Sequence, residues 1–337
     1  GGNLTRTVGG NRVATIAGTN TVSITDASVE TYKNNRDLVI SGAFTELITG
    51  AINITYNNTR SMKVSGLNTE IYSSNRTVKI SGNLNETISG TFATLVKNNS
   101  TEVYSGYRNI KISGNYTEFI TGANAKTIYG TSDETFKSNR TVTISGNLVE
   151  TISGRYGLTI NENKNITIRG NNTETYKGFR SLLVSGNSSE IISGNNTLTV
   201  VGANTETYKG NRTITISGNL SELITGNRTH TVTGNNYETV KGNRIVLISG
   251  NLTETVKSNN SLNIVGNSTE IYRVDRTLTT DGHLKETVLG DSSLVIQGNF
   301  NEDCLGHRTV KISGPFTETI SGRHNITVMN VSQETYK

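Results

Sequence analysis

The chain divides, without insertion or deletion, into forty-two consecutive units of eight residues from Gly2 to Lys337. Written from Gly210, successive units read GNRTITIS, GNLSELIT and GNRTHTVT. The first position is Gly in thirty-two units, and the seventh is Ile, Val, Tyr, Phe or Cys in all but the unit that holds Thr280. A period this strict predicts stacked repeats, each contacting its neighbours, rather than separate domains. We expect one continuous shaft over residues 2–337, and a segment of a longer protein because the repeat reaches both ends.

Each octad has the pattern of one strand and one corner. Positions three, five and seven alternate with positions four and six, and this period of two is typical of a β-strand rich in Thr, Ile and Val. The apolar seventh position should face a shared interior, and the polar fourth and sixth positions should face solvent. Positions eight, one and two, such as Ser-Gly-Asn, predict a turn because Gly and Asn tolerate positive φ. The predicted fold class is all-β, a β-solenoid.

Composition narrows the class of protein. Only 32% of residues are hydrophobic and there is no Trp, so a mixed globular core is not expected. A net charge of +5, without a basic cluster, does not indicate a nucleic-acid partner. The single Cys304 excludes an internal disulfide framework and is expected to pack as a small hydrophobic residue. No signal peptide is visible, and no apolar run reaches the roughly 18 residues of a membrane span.

A second rhythm places Glu at position five of alternate octads, with an apolar residue between. Nineteen of the twenty Glu residues lie there. The alternation slips twice, between Glu46 and Glu70 and between Glu150 and Glu174, where three octads replace two. A slower rhythm of four octads places Tyr, for example Tyr72, at position seven.

These slips bear on how many chains form the coil. In a four-sided single chain, Glu would lie over Glu at about 4.8 Å, an unfavourable like-charge contact. In a three-sided coil of three identical chains, each layer holds one octad number and a slip merely repeats an apolar layer. We therefore predict an octad-repeat triple-stranded β-helix, a triangular prism of three intertwined chains about 200 Å long. A three-sided coil of one chain would be about a third of that length.

Arg follows many of these Glu residues six positions later. In the three-chain winding the Arg lies one layer away on an adjacent strand, where Glu–Arg pairs stabilise and set partner choice. The predicted structural ladder comprises Glu30, Glu70, Glu102, Glu134, Glu174, Glu206, Arg36, Arg76, Arg108, Arg140, Arg180 and Arg212. The sequence does not determine whether position five is fully enclosed. Paired carboxylates can hydrolyse glycosides. A Glu repeated nineteen times at one octad position instead indicates a structural role in the repeat. We predict no catalytic residue and no enzyme.

The four histidines occur singly, as His230, His283, His307 and His324. Threefold symmetry would bring three copies of each into one layer, which could bind a metal on the axis. His283 and His307 lie at a turn position and should face solvent, so His230 and His324 are the better candidates. The interpretation favoured by the sequence is that the chain carries no metal and no cofactor.

Two surface patterns are explained by the residue preferences of the octad repeat. About twenty Asn-x-Ser/Thr sequons, Asn75 and Asn139 among them, arise because Asn suits the turn and Thr the strand, although they could carry glycans in a secretory setting. Thr-x-Thr pairs such as Thr141/Thr143 resemble flat ice-binding arrays. The outward positions vary with Lys, Leu, Phe and Val, so an ice-binding face is not predicted.

The octads GNLTETVK (250–257), SNRTVTIS (138–145) and GNLNETIS (82–89) resemble the intertwined trimeric β-helix of contractile-tail spikes. These are the membrane-piercing spikes of tailed phages and the valine-glycine repeat proteins of type VI secretion, and vertex spikes of some large algal viruses are expected to look similar. The resemblance covers the whole chain. It implies a rigid, protease-resistant shaft that punctures an envelope or wall, or holds a tip against one. No oligonucleotide-binding-fold base, lysozyme domain, effector or His-x-His metal tip is recognisable.

The predicted function is mechanical: a spike or needle shaft that penetrates or contacts the host envelope or wall. Its expected partners are two further copies in a homotrimer, other spike, tail or capsid components, and the host surface. Its expected location is a virion surface or an extracellular injection-machine spike. The alternative is an elongated adhesin or receptor-binding fibre that binds surface glycans. A polysaccharide lyase is disfavoured, because such enzymes build a cleft from long loops and no such loops interrupt the octads.

Overall fold

The computed structural model describes residues 3–336, and within that range the chain forms only strands and corners, without a helix. Every strand has five residues, octad positions three to seven, and every corner has positions eight, one and two. Two compact units are distinguished, one up to Gly170 and one from Asn171.

The strands of the N-terminal unit are β1 (Leu4–Val8), β2 (Arg12–Ile16), β3 (Asn20–Ile24), β4 (Ser28–Tyr32), β5 (Arg36–Ile40), β6 (Phe44–Ile48), β7 (Ile52–Tyr56), β8 (Arg60–Val64), β9 (Asn68–Tyr72), β10 (Arg76–Ile80), β11 (Leu84–Ile88), β12 (Phe92–Val96), β13 (Ser100–Tyr104), β14 (Arg108–Ile112), β15 (Tyr116–Ile120), β16 (Asn124–Ile128), β17 (Ser132–Phe136), β18 (Arg140–Ile144), β19 (Leu148–Ile152), β20 (Tyr156–Ile160) and β21 (Lys164–Ile168).

The strands of the C-terminal unit are β22 (Asn172–Tyr176), β23 (Arg180–Val184), β24 (Ser188–Ile192), β25 (Asn196–Val200), β26 (Asn204–Tyr208), β27 (Arg212–Ile216), β28 (Leu220–Ile224), β29 (Arg228–Val232), β30 (Asn236–Val240), β31 (Arg244–Ile248), β32 (Leu252–Val256), β33 (Asn260–Ile264), β34 (Ser268–Tyr272), β35 (Arg276–Thr280), β36 (Leu284–Val288), β37 (Ser292–Ile296), β38 (Phe300–Cys304), β39 (Arg308–Ile312), β40 (Phe316–Ile320), β41 (His324–Val328) and β42 (Ser332–Tyr336).

Within each unit the chain winds on itself as a three-sided parallel coil. A strand pairs in parallel with the third strand after it, so that β11 pairs with β14 and Leu84 lies opposite Arg108. The offset is three octads, or 24 residues. Each unit therefore has seven turns and three parallel sheets. We call these sheet A (β1, β4 and every third strand; β22, β25 and every third strand), sheet B (β2, β5 …; β23, β26 …) and sheet C (β3, β6 …; β24, β27 …).

The predicted all-β solenoid is confirmed. One chain closes three sides, and octad n lies on octad n+3. This is the three-sided coil of one chain, which was considered above only for its length. The alternative of octad n on octad n+4 is not the one adopted. Three intertwined chains would be a different association, and that winding stays a prediction.

The interior follows the octad pattern. Side chains at position seven are the most deeply buried, and Ile80, Val96 and Ile144 are 0% exposed. Positions three and five also point inward, which places Glu and Arg beside the apolar column. Positions four and six are partly or fully exposed. The predicted inward and outward positions are therefore confirmed.

The corner glycines have a different explanation from the predicted one. No residue in the described part of the chain has a positive φ, so conformational freedom is not what selects Gly. Successive corners instead stack closely, and the Gly66 N–H donates to the Gly42 carbonyl at 3.1 Å. A Cβ on Gly66 would lie 2.7 Å from the carbonyl carbon and oxygen of Gly42. The expectation of a positive φ was wrong because the constraint comes from a residue 24 positions earlier.

Candidate functional site

A triad of side chains recurs where the interior strands turn a corner. In one example, Glu70 and Tyr72 lie on β9 and Arg76 begins β10. The Tyr72 hydroxyl lies 3.2 Å from Glu70 Oε2, and the guanidinium of Arg76 stacks 5.5 Å from the centre of the Tyr72 ring. Arg76 Nη2 lies 4.0 Å from Glu70 Oε2. The phenol thus joins a hydrogen bond to a cation–π contact.

The triad has the sequence Glu-x-Tyr-x-x-x-Arg. It recurs with the Tyr hydroxyl bonded to Glu and the Arg over the ring at Glu30/Tyr32/Arg36, Glu102/Tyr104/Arg108, Glu174/Tyr176/Arg180, Glu206/Tyr208/Arg212 and Glu270/Tyr272/Arg276. The Glu, Tyr and Arg rhythms are each visible in the sequence, but the contact between the three residues was not predicted from it. The fixed spacing of the three residues was the available signal.

The same Arg residues also reach into the next turn. Arg76 pairs with Glu102, and Arg108 pairs with Glu134. Burial alone would raise the pKa of Glu102, but the positive charges of Arg76 and Arg108 lower it to about 2. Similar pairs join Arg180 to Glu206, Arg244 to Glu270 and Arg308 to Glu334. Each such Arg connects two stacked turns through an ion pair, which is interior in every case except Arg308–Glu334, where Glu334 is exposed.

The twelve residues of the predicted ladder all lie on interior-facing positions, at position three for Arg and position five for Glu. Glu174 and Arg180 approach to 3.9 Å, as Glu70 and Arg76 approach to 4.0 Å. Arg36 instead donates to the Tyr56 hydroxyl at 3.0 Å. That such pairs select a partner chain stays a prediction.

Three further members of that ladder lie against neighbouring rings and carboxylates. Arg140 stacks over Phe136, with 5.4 Å between its guanidinium carbon and the ring centre. Arg212 Nη1 lies 3.7 Å from Glu238 Oε2. The Tyr32 hydroxyl hydrogen-bonds to Glu30. The ladder is therefore a mixture of ion pairs, phenol hydrogen bonds and ring stacking.

The first slip in the Glu rhythm brings two carboxylates together. Glu46 on β6 lies directly opposite Glu70 on β9. The Tyr72 hydroxyl lies 2.6 Å from Glu46 Oε2 as well as 3.2 Å from Glu70 Oε2, so one phenol proton serves two acceptors. Burial and the charge of Glu46 raise the pKa of Glu70 to about 7 despite Arg76. In this winding the slip has an electrostatic cost, whereas three-chain winding was expected to accommodate it.

Elsewhere within each described unit, the offset of three octads places Glu beside a residue of another type. Glu86 lies between Met62 and Ile110, and Glu238 lies between Ile214 and Leu262. Glu occupies every second octad, whereas stacked strands are three octads apart. Because three is an odd number, a strand with Glu lies on a strand without Glu. The coil thus avoids stacked like charges without any change in the backbone.

Asn side chains form a second ladder, along the outside of the corners. The Oδ1 of Asn211 accepts the backbone N–H of Asn235 at 2.8 Å, and that of Asn219 accepts the N–H of Asn243 at 2.8 Å. His283 replaces Asn at one corner, where its Nδ1 accepts the His307 N–H at 3.0 Å. The sequence predicted only a turn preference for Asn, and this hydrogen bond between turns was not predicted.

The histidines lie in different surroundings. His230 is 2% exposed, with Nδ1 3.7 Å from Glu254 Oε1. His283 and His307 are exposed, and their rings stack at 5.0 Å. His324 is also exposed. Among residues 3–336, no group of three or more His, Cys, Asp or Glu side chains could hold a metal ion.

Two interior cavities of the C-terminal unit are small, with volumes of about 60 and 140 Å³, and Glu286 lines both. Small-molecule sites usually occupy roughly 300–1,000 Å³. Burial, with the charge of Glu270, raises the pKa of Glu286 to about 7. These cavities suit water molecules better than a substrate.

The described residues also contain no helix long and apolar enough to cross a membrane.

The outward faces are not alike, because the coil returns to the same sheet every three octads. Position six carries an uninterrupted apolar row on sheet C of the N-terminal unit and another on sheet A of the C-terminal unit. The first row is Leu47, Ile71, Leu95 and Phe119, and the second is Leu223, Leu247, Ile271 and Val295. We call these the apolar rows.

Compared with protein-family models, with curated proteins and with solved structures, the chain matches none. Function therefore has to be inferred from the geometry of the coil and its side chains.

Proposed function

We propose that this chain is a rigid structural shaft whose function is mechanical. The observation that carries the proposal is regularity: every described strand has five residues, and each corner between strands has three. A catalytic cleft on a β-solenoid needs loops that leave the coil, and none leaves it between residues 3 and 336. The charged side chains of the interior instead form contacts between stacked turns.

Three sets of contacts support stiffness. Backbone hydrogen bonds join each strand to its parallel neighbours, and corner bonds such as Ser65 N–H to the Ile40 carbonyl at 2.9 Å continue them. Interior ion pairs such as Arg108–Glu134 cross from turn to turn. The Asn ladder does the same on the outside of the corners. Local opening of one turn must break all three sets, which raises its free energy.

The resemblance of the octads to contractile-tail spikes supports one setting for this shaft. We place it in a spike that penetrates or contacts a host envelope or wall, at a virion surface or in an extracellular injection machine. Its partners in that setting are other spike, tail or capsid components and the host surface. An elongated adhesin is the second candidate, favoured by outward faces that differ from sheet to sheet. Binding of the isolated chain to a glycan array would favour the adhesin.

The proposed shaft is compatible with two associations, one chain wound on itself or the predicted homotrimer. Three intertwined chains would keep the same inward and outward positions, because the octad sets them, but would place octad n beside octad n+1 of a neighbouring chain. Both windings give a shaft. Sedimentation equilibrium distinguishes them, since the intertwined form has three times the mass of one chain.

Protease resistance tests the shaft itself. The chain carries 32 Lys and Arg residues, many of them exposed at corners, so an ordinary flexible chain would be cut readily by trypsin. We expect the native chain to remain intact under conditions that digest it after heat unfolding. Rapid cleavage of the native chain at many corners would refute a rigid shaft. The double variant Arg108→Ala/Arg180→Ala, which removes two bridges between turns, should be cut faster than a variant with exposed Lys63→Ala and Lys111→Ala.

A further inference from the structure

One outward face of the C-terminal unit is a regular array of threonine. On sheet B, four consecutive strands carry Thr at both outward positions, with each Thr directly opposite the next. The array, which we call the Thr grid, consists of Thr205, Thr207, Thr229, Thr231, Thr253, Thr255, Thr277 and Thr279 on β26, β29, β32 and β35.

The spacing of the Thr grid is set by the sheet. Neighbouring strands lie about 4.8 Å apart, and alternate residues of one strand lie about 6.6 Å apart. The pairing is parallel with no change of register over the four strands, so the two columns form a rectangular lattice. Thr205, Thr229 and Thr253 are exposed, and Thr207, Thr231 and Thr255 are half-buried. Because β-branching restricts χ1, each hydroxyl and each methyl is held in one of few positions.

The other outward faces of this unit lack that regularity. Sheet C has Tyr237, Asn263 and Lys285 among its outward residues, and sheet A carries an apolar row. The grid itself contains no charged and no aromatic side chain, and it is bounded by Leu183 on β23 and Asp303 on β38. Over the four strands of the grid, the variation in outward residues that argued against an ice-binding array is absent, although sheet B carries Leu183 and Asp303 directly beyond them. Successive octads lie on three different sheets, so the outward residues read along the sequence mix three faces.

We propose that the Thr grid binds ice. The rectangular repeat of the grid is about 4.8 Å by 6.6 Å. It has the scale of the oxygen repeat on the prism faces of hexagonal ice, slightly longer in one direction and slightly shorter in the other. Methyl groups between the hydroxyls confine water, and the hydroxyls anchor it, so an ordered layer forms at a small entropic cost per molecule. A protein partner would need a buried aromatic or Arg anchor, and the grid offers neither. Its ligand is crystalline water.

The proposal rests on the winding of a single chain. In three intertwined chains, the rows of Thr205 and Thr229 would be separated by octads that carry Thr213 and Ser221 with Leu223, and the grid would be interrupted. The proposed shaft survives either winding, so the two proposals fail separately. A mass of three chains would overturn the ice-binding inference and leave the shaft intact.

The test is partition of the fluorescently labelled full chain onto a growing ice hemisphere, together with inhibition of ice recrystallisation. We expect the chain, at the mass of one chain, to concentrate on ice. Thr231→Tyr with Thr255→Tyr should reduce the ice-bound fraction about tenfold. Thr215→Tyr with Thr239→Tyr, at the same octad position on sheet C, should leave it unchanged.

Folding of each variant is checked by its melting temperature. If the tyrosine variant does not fold, Thr229→Lys with Thr253→Lys replaces it, because position four accepts Lys285 on sheet C. Exclusion of the unmodified chain from ice, or equal losses in the grid and control variants, would overturn the proposal.

Discussion

Glycine at the first octad position meets different surroundings in different turns. A Cβ on Gly66 would lie 2.7 Å from backbone atoms of Gly42, whereas a Cβ on Gly18, in the first turn of this chain, would meet nothing within 4 Å because no residue lies 24 positions before it. We expect Gly66→Ala to destabilise the fold by roughly 1–3 kcal/mol, as other overpacking substitutions do. Gly18→Ala should be neutral or slightly stabilising, because Ala restricts the unfolded chain and no positive φ is needed. Urea unfolding of the two variants measures the difference, and equal effects would contradict the stacking explanation.

The Glu46–Glu70 contact predicts a dependence of stability on pH. The pKa of Glu70 is raised from 4.5 to about 7 by burial and Glu46. Its contribution to stability is therefore complete below pH 4.5 and is lost as the pH rises toward 7. Glu70→Gln should remove this dependence and stabilise the fold at pH 8 by up to roughly 3 kcal/mol.

Glu102→Gln is the matched control for that substitution, with the opposite sign. The pKa of Glu102 is lowered to about 2 because Arg76 and Arg108 outweigh burial. Its stabilising contribution is present above pH 4.5 and is lost as the pH falls toward 2. Glu102→Gln should therefore destabilise the fold at pH 8. Chemical unfolding across the pH range measures both variants, and a shift of the same sign would show that the two carboxyl groups do not differ as described.

At the scale of the element, the corner gains a bond between turns from the Asn ladder. Asn211→Ala removes the acceptor of the Asn235 N–H, which should cost about 1 kcal/mol and speed hydrogen exchange at that amide. Asn211→Asp keeps an acceptor oxygen, as Asp275 does for the Asn299 N–H at 2.7 Å, and should retain protection. Unchanged exchange at Asn235 in the Ala variant would show that the side chain does not hold the corner.

The strands were predictable because their signal is local. Alternation within one octad was enough to place position seven inside, as Ile80 and Val96 confirm. The roles of Gly66 and Asn211 were not predictable in this way, because their partners lie 24 residues away and the offset depends on the winding. A 24-residue rhythm was present at position six in Leu47, Ile71, Leu95 and Phe119. It could have indicated a coil that returns to one face every three octads.

For the whole molecule, the offset between turns predicts which deletions are tolerated. Removal of residues 212–259, six octads, would place Leu262 beside Glu190 and Leu278 beside Glu206, so the alternation of charge is kept. Removal of residues 212–235, three octads, would place Glu238 beside Glu190 and Glu254 beside Glu206. We expect the shorter deletion to melt at the lower temperature, since it buries two like-charged contacts. Calorimetry near pH 8 tests this, and the reverse order would contradict the described register.

The alternation of Glu with apolar residues also discriminates among folds that the backbone alone would allow. Any winding in which a strand meets the second or fourth strand after it brings carboxylate against carboxylate along its whole length. A winding with an odd offset meets none, apart from a slip such as Glu46–Glu70. Corners of three residues are compatible with several numbers of sides, so the side chains have to exclude the wrong ones. The Glu residues therefore disfavour every winding with an even offset, and this electrostatic penalty against misfolding recurs in every second octad.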